Sequence, residues 1–128
     1  MNYTELRIGN LVCRKDLISD EDRFEKIIFL SDKVTTSGPF RIVCFYSEIK
    51  PIPLSKKWLL KFGFYQWSKI EFSKEFKSWS LWVFTDVNKF EIVHNEDRNC
   101  FNPDIQIKYV HQLQNLYFAL TGEELKIK

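Results

Sequence analysis

The side chains best suited to chemistry in this chain are His94, Cys100 and His111, since imidazole and thiolate are the groups that hold zinc. A zinc site needs them to converge with a fourth ligand, and their spacing fits no zinc pattern. His94, on the apolar side of an alternating segment, reads instead as a hydrogen-bonded sheet residue. Nucleophilic catalysis has no better footing, with no Gly-x-Ser-x-Gly elbow and no legible Cys-His arrangement. Four glycines in all leave no phosphate-cradling loop. The carboxylate pairs, Glu123 with Glu124 and Asp20 with Asp22, fall in a tail and a loop, where solvation is the default. The expectation is a non-catalytic protein without metal or cofactor.

Two constellations remain, and both suit binding. His111, Gln114, Asn115 and Phe118 recur at i, i+3, i+4 and i+7, which places them on one helix face. An apolar Phe118 ringed by neutral hydrogen-bonding groups has the make-up of a protein contact. The competing reading makes the same face internal, with its amides satisfied by backbone, and a homodimer through this helix satisfies both. The second constellation lies mid-chain. Lys50, Lys56, Lys57, Lys61, Lys69, Lys74 and Lys77 crowd there against only Glu71 and Glu75, interleaved with Tyr65, Trp67, Trp79 and Trp82. Cations for phosphates beside rings for stacking are the ingredients of a single-strand nucleic-acid platform, with Lys56, Lys57, Lys61, Trp67 and Lys69 as its candidate residues. Alternation sends Trp79 and Trp82 to opposite strand faces, so the competing reading puts one of them in the core and leaves the lysines as a solvated rim. The expected function is a protein-interaction module with an unknown protein partner or a second copy, and the alternative is a nucleic-acid accessory factor.

The elements that must position these groups are legible in outline. The expected class is α+β, mainly antiparallel: a short curved sheet of the SH3 kind plus a four-strand meander, with helices at about 55–62 and 109–121. In the first half, Arg7 to Cys13, Phe24 to Leu30 and Arg41 to Tyr46 are strand-like, separated by an acidic loop about Asp20-Glu21-Asp22 and a Gly38-Pro39 turn. The unbroken apolar runs Ile27 to Leu30 and Ile42 to Phe45 suggest strands covered on both sides. The first helix has both ends written: Ser55 at the N-cap, and Gly63 in the left-handed conformation with Phe64 folding back on Leu59. Lys56 and Lys57 in its first turn oppose the macrodipole. Tyr65 to Phe72, Ser78 to Thr85, Lys89 to His94 and Asp104 to Tyr109 read as the meander, with a turn at Asp86-Val87-Asn88 and a polar loop from Asn95 to Pro103. The second helix carries an apolar stripe of Tyr109, Val110, Leu113, Leu116, Tyr117 and Leu120, expected to cover the dry face of the meander. It stops at Gly122 and leaves 123–128 as a short, frayed tail. The organisation expected is one domain over 1–128, with a strand-rich half 1–54 closed by helix 55–62 and a meander 65–109 closed by the C-terminal helix.

Composition bounds the rest. With 45% apolar and 16% aromatic residues, the chain is too hydrophobic for disorder, so it has a core. A net charge of +2 supplies no global field towards nucleic acid or anionic membrane, and any such binding must be local. Cys13, Cys44 and Cys100 are odd in number and lack Cys-x-x-Cys spacing, so they read as small buried residues of a cytoplasmic protein. No segment has the length and apolarity of a membrane span.

Three blocks carry a resemblance: Leu6-Arg-Ile-Gly-Asn-Leu-Val12, Ile49-Lys-Pro-Ile-Pro-Leu54 followed by Trp58-Leu-Leu-Lys-Phe-Gly-Phe64, and Tyr109-Val-His-Gln-Leu-Gln-Asn-Leu-Tyr-Phe-Ala-Leu-Thr-Gly-Glu-Glu-Leu125. Together they resemble a family of small proteins encoded in phages, prophages and mobile elements of gut bacteria, over most of the chain and in the family's order. The resemblance implies an origin but no activity. Such proteins often open the helix after Leu54 with Thr-Glu-Glu, whereas here it opens Ser55-Lys56-Lys57, and that charge reversal argues against a fixed ionic role at this position.

Overall fold

The structure, a computed structural model, describes residues 5–15, 22–31, 33–37 and 43–128. It is mostly antiparallel sheet with two helices, α1 (Lys56–Lys61) and α2 (Val110–Thr121), as the sequence suggests. The chain forms two compact units that do not follow its sequential halves. One comprises residues 1–53 and 109–124, the other residues 54–108 and 125–128. The helices are therefore exchanged relative to expectation: α2 belongs with the first sheet and α1 with the second.

The first unit holds β1 (Leu11–Lys15), β2 (Asp22–Leu30), β3 (Val34–Thr36), β4 (Val43–Cys44) and β5 (Ile49–Lys50). Its order is β4-β3-β2-β1-β5, because β5 returns to pair antiparallel with β1. Val12, Ile27, Val34, Cys44 and Ile49 form its buried cluster, joined by Leu6. The run from Ile27 to Leu30 is not covered on both sides. A register shift between Ile27 and Phe29 breaks the alternation and leaves Phe29 exposed, so the apolar run reflects a bulge. Val43 is likewise exposed. The Gly38-Pro39 turn, the Ile42 end of its strand and Asp20-Glu21 lie outside the described residues. On the core side of β1 and β2 sits a buried ion pair, with Arg14 Nε 2.7 Å from one Glu25 carboxylate oxygen and Nη2 3.1 Å from the other. Thr36 Oγ1 donates to the same carboxylate at 2.8 Å.

The second unit holds α1, β6 (Tyr65–Gln66), β7 (Glu71–Phe76), β8 (Trp79–Phe84), β9 (Lys89–His94) and β10 (Cys100–Phe101), in the sheet order β10-β9-β8-β7-β6. Two of the expected strands differ. The segment 65–72 is broken by a bend at 67–70 into β6 and the start of β7, which form a hairpin. Residues 104–109 are not a strand. The ladder partner of β9 is β10, inside the expected loop, while Ile107 is buried and its N–H donates to Asn88 O at 2.6 Å. Register puts Phe72, Leu81, Val83, Phe90 and Ile92 on one face, all buried, and Ser73, Glu75, Ser80, Trp82 and Phe84 on the other. The tail is docked rather than frayed: Leu125 is buried and the Lys128 N–H donates to Lys61 O at 2.8 Å.

Helix α1 ends as its sequence dictates. Gly63 has φ +83°, its N–H donates to Leu60 O, and the Phe64 N–H reaches back to Leu59 O, both at 3.0 Å. Ser55 occupies the N-cap, but its side chain makes no capping bond. A Cβ at Gly63 would also stand 2.6 Å from the Lys128 side chain. Gly63→Val is therefore expected to destabilise by more than about 1 kcal/mol, through left-handed strain on a β-branched residue and displacement of Lys128. An unchanged melting temperature would show that the turn relaxes freely.

Candidate functional site

The helix face singled out for protein contact is occupied by the chain's own N-terminal segment. His111 and Gln114 are buried. His111 Nε2 lies 3.0 Å from Glu5 Oε2; a carboxylate can only accept, so this nitrogen carries the proton. Gln114 accepts from the Leu11 N–H at 2.8 Å and donates to Gly9 O at 3.3 Å. Asn115 is the hub of the clamp. Its amide donates to Glu5 O at 2.7 Å, and its oxygen accepts from Arg7 Nε at 3.0 Å and Asn10 Nδ2 at 2.8 Å. Phe118 keeps 39% of its surface, but the Arg7 guanidinium lies 4.3 Å over its ring and is paired in turn with Glu124. Three of the four side chains thus serve internal bonding. Their periodicity is the same for a contact face as for a clamp, and Arg7 and Asn10, which decide between the two, are over a hundred residues away in sequence.

The mid-chain aromatics behave differently. The bend at 67–70 folds the β6–β7 hairpin so that Trp67 lies across the outer face of the sheet. There it stacks on Trp82 with ring centroids 5.5 Å apart and planes at 24°. Trp82 stacks in turn towards Phe84, and Tyr65 packs edge-on against Trp67 at 4.8 Å. The Trp67 indole N–H donates to Ser73 Oγ at 2.7 Å, so both its plane and its in-plane rotation are held while 59% of its surface stays open. Of the tryptophan pair, Trp79 takes the core-facing side, but at the sheet's end. It remains 37% exposed against His94, which shares the face of Phe90 and Ile92.

A cleft opens on each side of Trp67. One, of about 440 Å³, is lined by Gly63, Tyr65, Trp67, Lys74, Glu75 and Lys128. The other, of about 430 Å³, is lined by Trp67, Glu75, Ser80, Trp82, Asn95 and Arg98. In the first, Lys74 Nζ donates to Phe62 O at 3.1 Å. Burial and the neighbouring charge of Lys128 pull its pKa below the usual lysine range. Two crowded ammonium groups gain from an anion placed between them. Of the five candidate residues Lys56, Lys57, Lys61, Trp67 and Lys69, Trp67 alone lines the clefts, joined by Tyr65, Lys74 and Trp82 of the wider constellation. Lys69 is exposed in the same bend, Lys56 and Lys57 are exposed on α1, and Lys61 lies 4.7 Å over the Trp58 ring. Lys74, Glu75, Asn95, Arg98 and Lys128 were not singled out as a set, because only strand register and the docked tail assemble them. Among the described residues no three of His, Cys, Asp and Glu gather as metal ligands, and no helix is long and apolar enough to cross a membrane. Comparison of the chain with family models, curated proteins and solved structures gives no match.

Proposed function

We propose that this protein is a non-catalytic nucleic-acid accessory factor that holds a single strand at the β6–β7 edge of its second sheet. The observation that carries the reading is Trp67, an exposed ring already fixed by Trp82 and Ser73, beside the paired cations Lys74 and Lys128. A locked aromatic loses little entropy on binding, and every base offers it a π-face. The lysines supply the phosphate attraction that makes such binding salt-dependent. This reading is preferred to a protein contact through α2 because His111, Gln114 and Asn115 are engaged within the chain. The resemblance of the three sequence blocks to proteins of phages and mobile elements suits an accessory factor acting in the cytoplasm of the host.

The test is retention of a labelled oligouridine at low ionic strength. The expected result is salt-sensitive binding that Trp67→Ala weakens by about tenfold or more, the scale of one lost base stack. Glu at Lys56 and Lys57, which line neither cleft, should weaken binding far less than Met at Lys74 and Lys128. No retention by the wild type, or equal retention by Trp67→Ala, would remove the reading.

A further inference from the structure

We infer that the cleft lined by Trp67, Glu75, Trp82, Asn95 and Arg98 takes a guanine base, an inference that rests on the single-strand reading above. The cleft presents opposite hydrogen-bonding characters about one aromatic wall. Glu75 is an exposed carboxylate and Arg98 an exposed guanidinium, and neither side chain has an ion-pair or hydrogen-bond partner among the described residues. Asn95 uses its oxygen to accept from Ser80 Oγ, which leaves its amide hydrogens for a ligand. A carboxylate accepts two parallel hydrogen bonds and a guanidinium donates two. Guanine alone among the common bases offers two adjacent donors, N1–H and the N2 amine, on one edge and two adjacent acceptors, O6 and N7, on another. Cytosine and adenine supply one exocyclic donor, and uracil has no amine.

The backbone supports a positioned Arg98. It has φ +59°, a conformation that non-glycine residues seldom adopt. A tight turn maintains it: the Arg98 N–H donates to His94 O at 3.0 Å, the Asn99 N–H donates to Asp97 Oδ1 at 3.0 Å, and His94 Nδ1 lies 3.0 Å from Asp97. Strain kept in an exposed turn beside a cleft is what a ligand-positioning residue would require. The base would lie against the Trp67–Trp82 stack between Glu75 and Arg98, with Lys74 and Lys128 of the neighbouring cleft available to its phosphate.

The experiment compares short oligouridines carrying one central guanine, adenine, cytosine or inosine by fluorescence anisotropy. The expected result is that guanine binds about tenfold more tightly than the others, and that inosine, which lacks the N2 amine, loses most of the gain. Glu75→Gln, at an exposed site that leaves the fold alone, should erase the guanine preference. Equal affinity for all the oligomers, with binding still dependent on Trp67, would overturn the guanine site and leave the single-strand reading standing. Absence of binding by any oligomer would overturn both.

Discussion

Arg14→Met is expected to destabilise the protein by about 3–5 kcal/mol, the largest effect of any polar substitution in the chain. The side chains of Arg14 and Glu25 retain only 5% and 7% of their surface, and the guanidinium engages both carboxylate oxygens. Removing it leaves a buried carboxylate with Thr36 as its one remaining hydrogen-bond donor among the described residues. Arg14→Met combined with Glu25→Leu should recover much of the loss, because the double change leaves no unpaired charge in the core. Denaturant melts of the two variants check this; a double variant as unstable as the single one would mean that packing, not charge, sets the effect. The pair also predicts a pH dependence. Hydrogen bonding from Arg14 holds the folded Glu25 carboxyl below its ordinary value of 4.5, against the opposing effect of burial. A lowered folded pKa makes the stabilisation full above the unfolded value and removes it as pH falls through the folded one. Wild-type stability should therefore decline below about pH 4.5, and the double variant should decline less there.

Asn115→Leu is expected to cost on the order of 3 kcal/mol. It leaves Glu5 O, Arg7 Nε and Asn10 Nδ2 without the partner they share, at about 1–3 kcal/mol for each group that remains buried. Asn10 is fully buried, so its amide bears most of the loss. The 5–11 segment should detach from α2, which limited proteolysis within that segment would register together with a lower melting temperature. Phe118→Ser, on the same face but partly exposed, should by contrast cost less than about 1 kcal/mol. If the two variants melt alike, the clamp is not centred on Asn115.

Local chemistry made several elements readable before any fold was known. The stop of α1 at Gly63 follows from residues adjacent in sequence, because only glycine takes φ +83° without strain and Phe64 follows it to close the turn. The alternation of Phe90, Ile92 and His94 survives in β9 for the same reason, since strand period is a property of the chain itself. What local pattern could not decide was pairing. Cys100–Phe101 carries no strand-like run, yet it forms β10 because β9 offers it an edge. The polar face of α2 has one spacing whether its neighbour is water, a partner or the chain's own residues 5–11. The bond from Asn115 to Asn10 spans 105 residues, and no periodicity reports a separation of that length. Trp67 was identified by type and company. Its exposure, its stack on Trp82 and the cleft shared with Glu75 and Arg98 were decided by the bend at 67–70 and the register of β7 on β8. Sequence by itself determined the class, the helix ends and the aromatic supply of this protein, because those depend on neighbours along the chain. Tertiary structure alone decided which helix serves which sheet and which polar face remains open, because burial depends on neighbours in space.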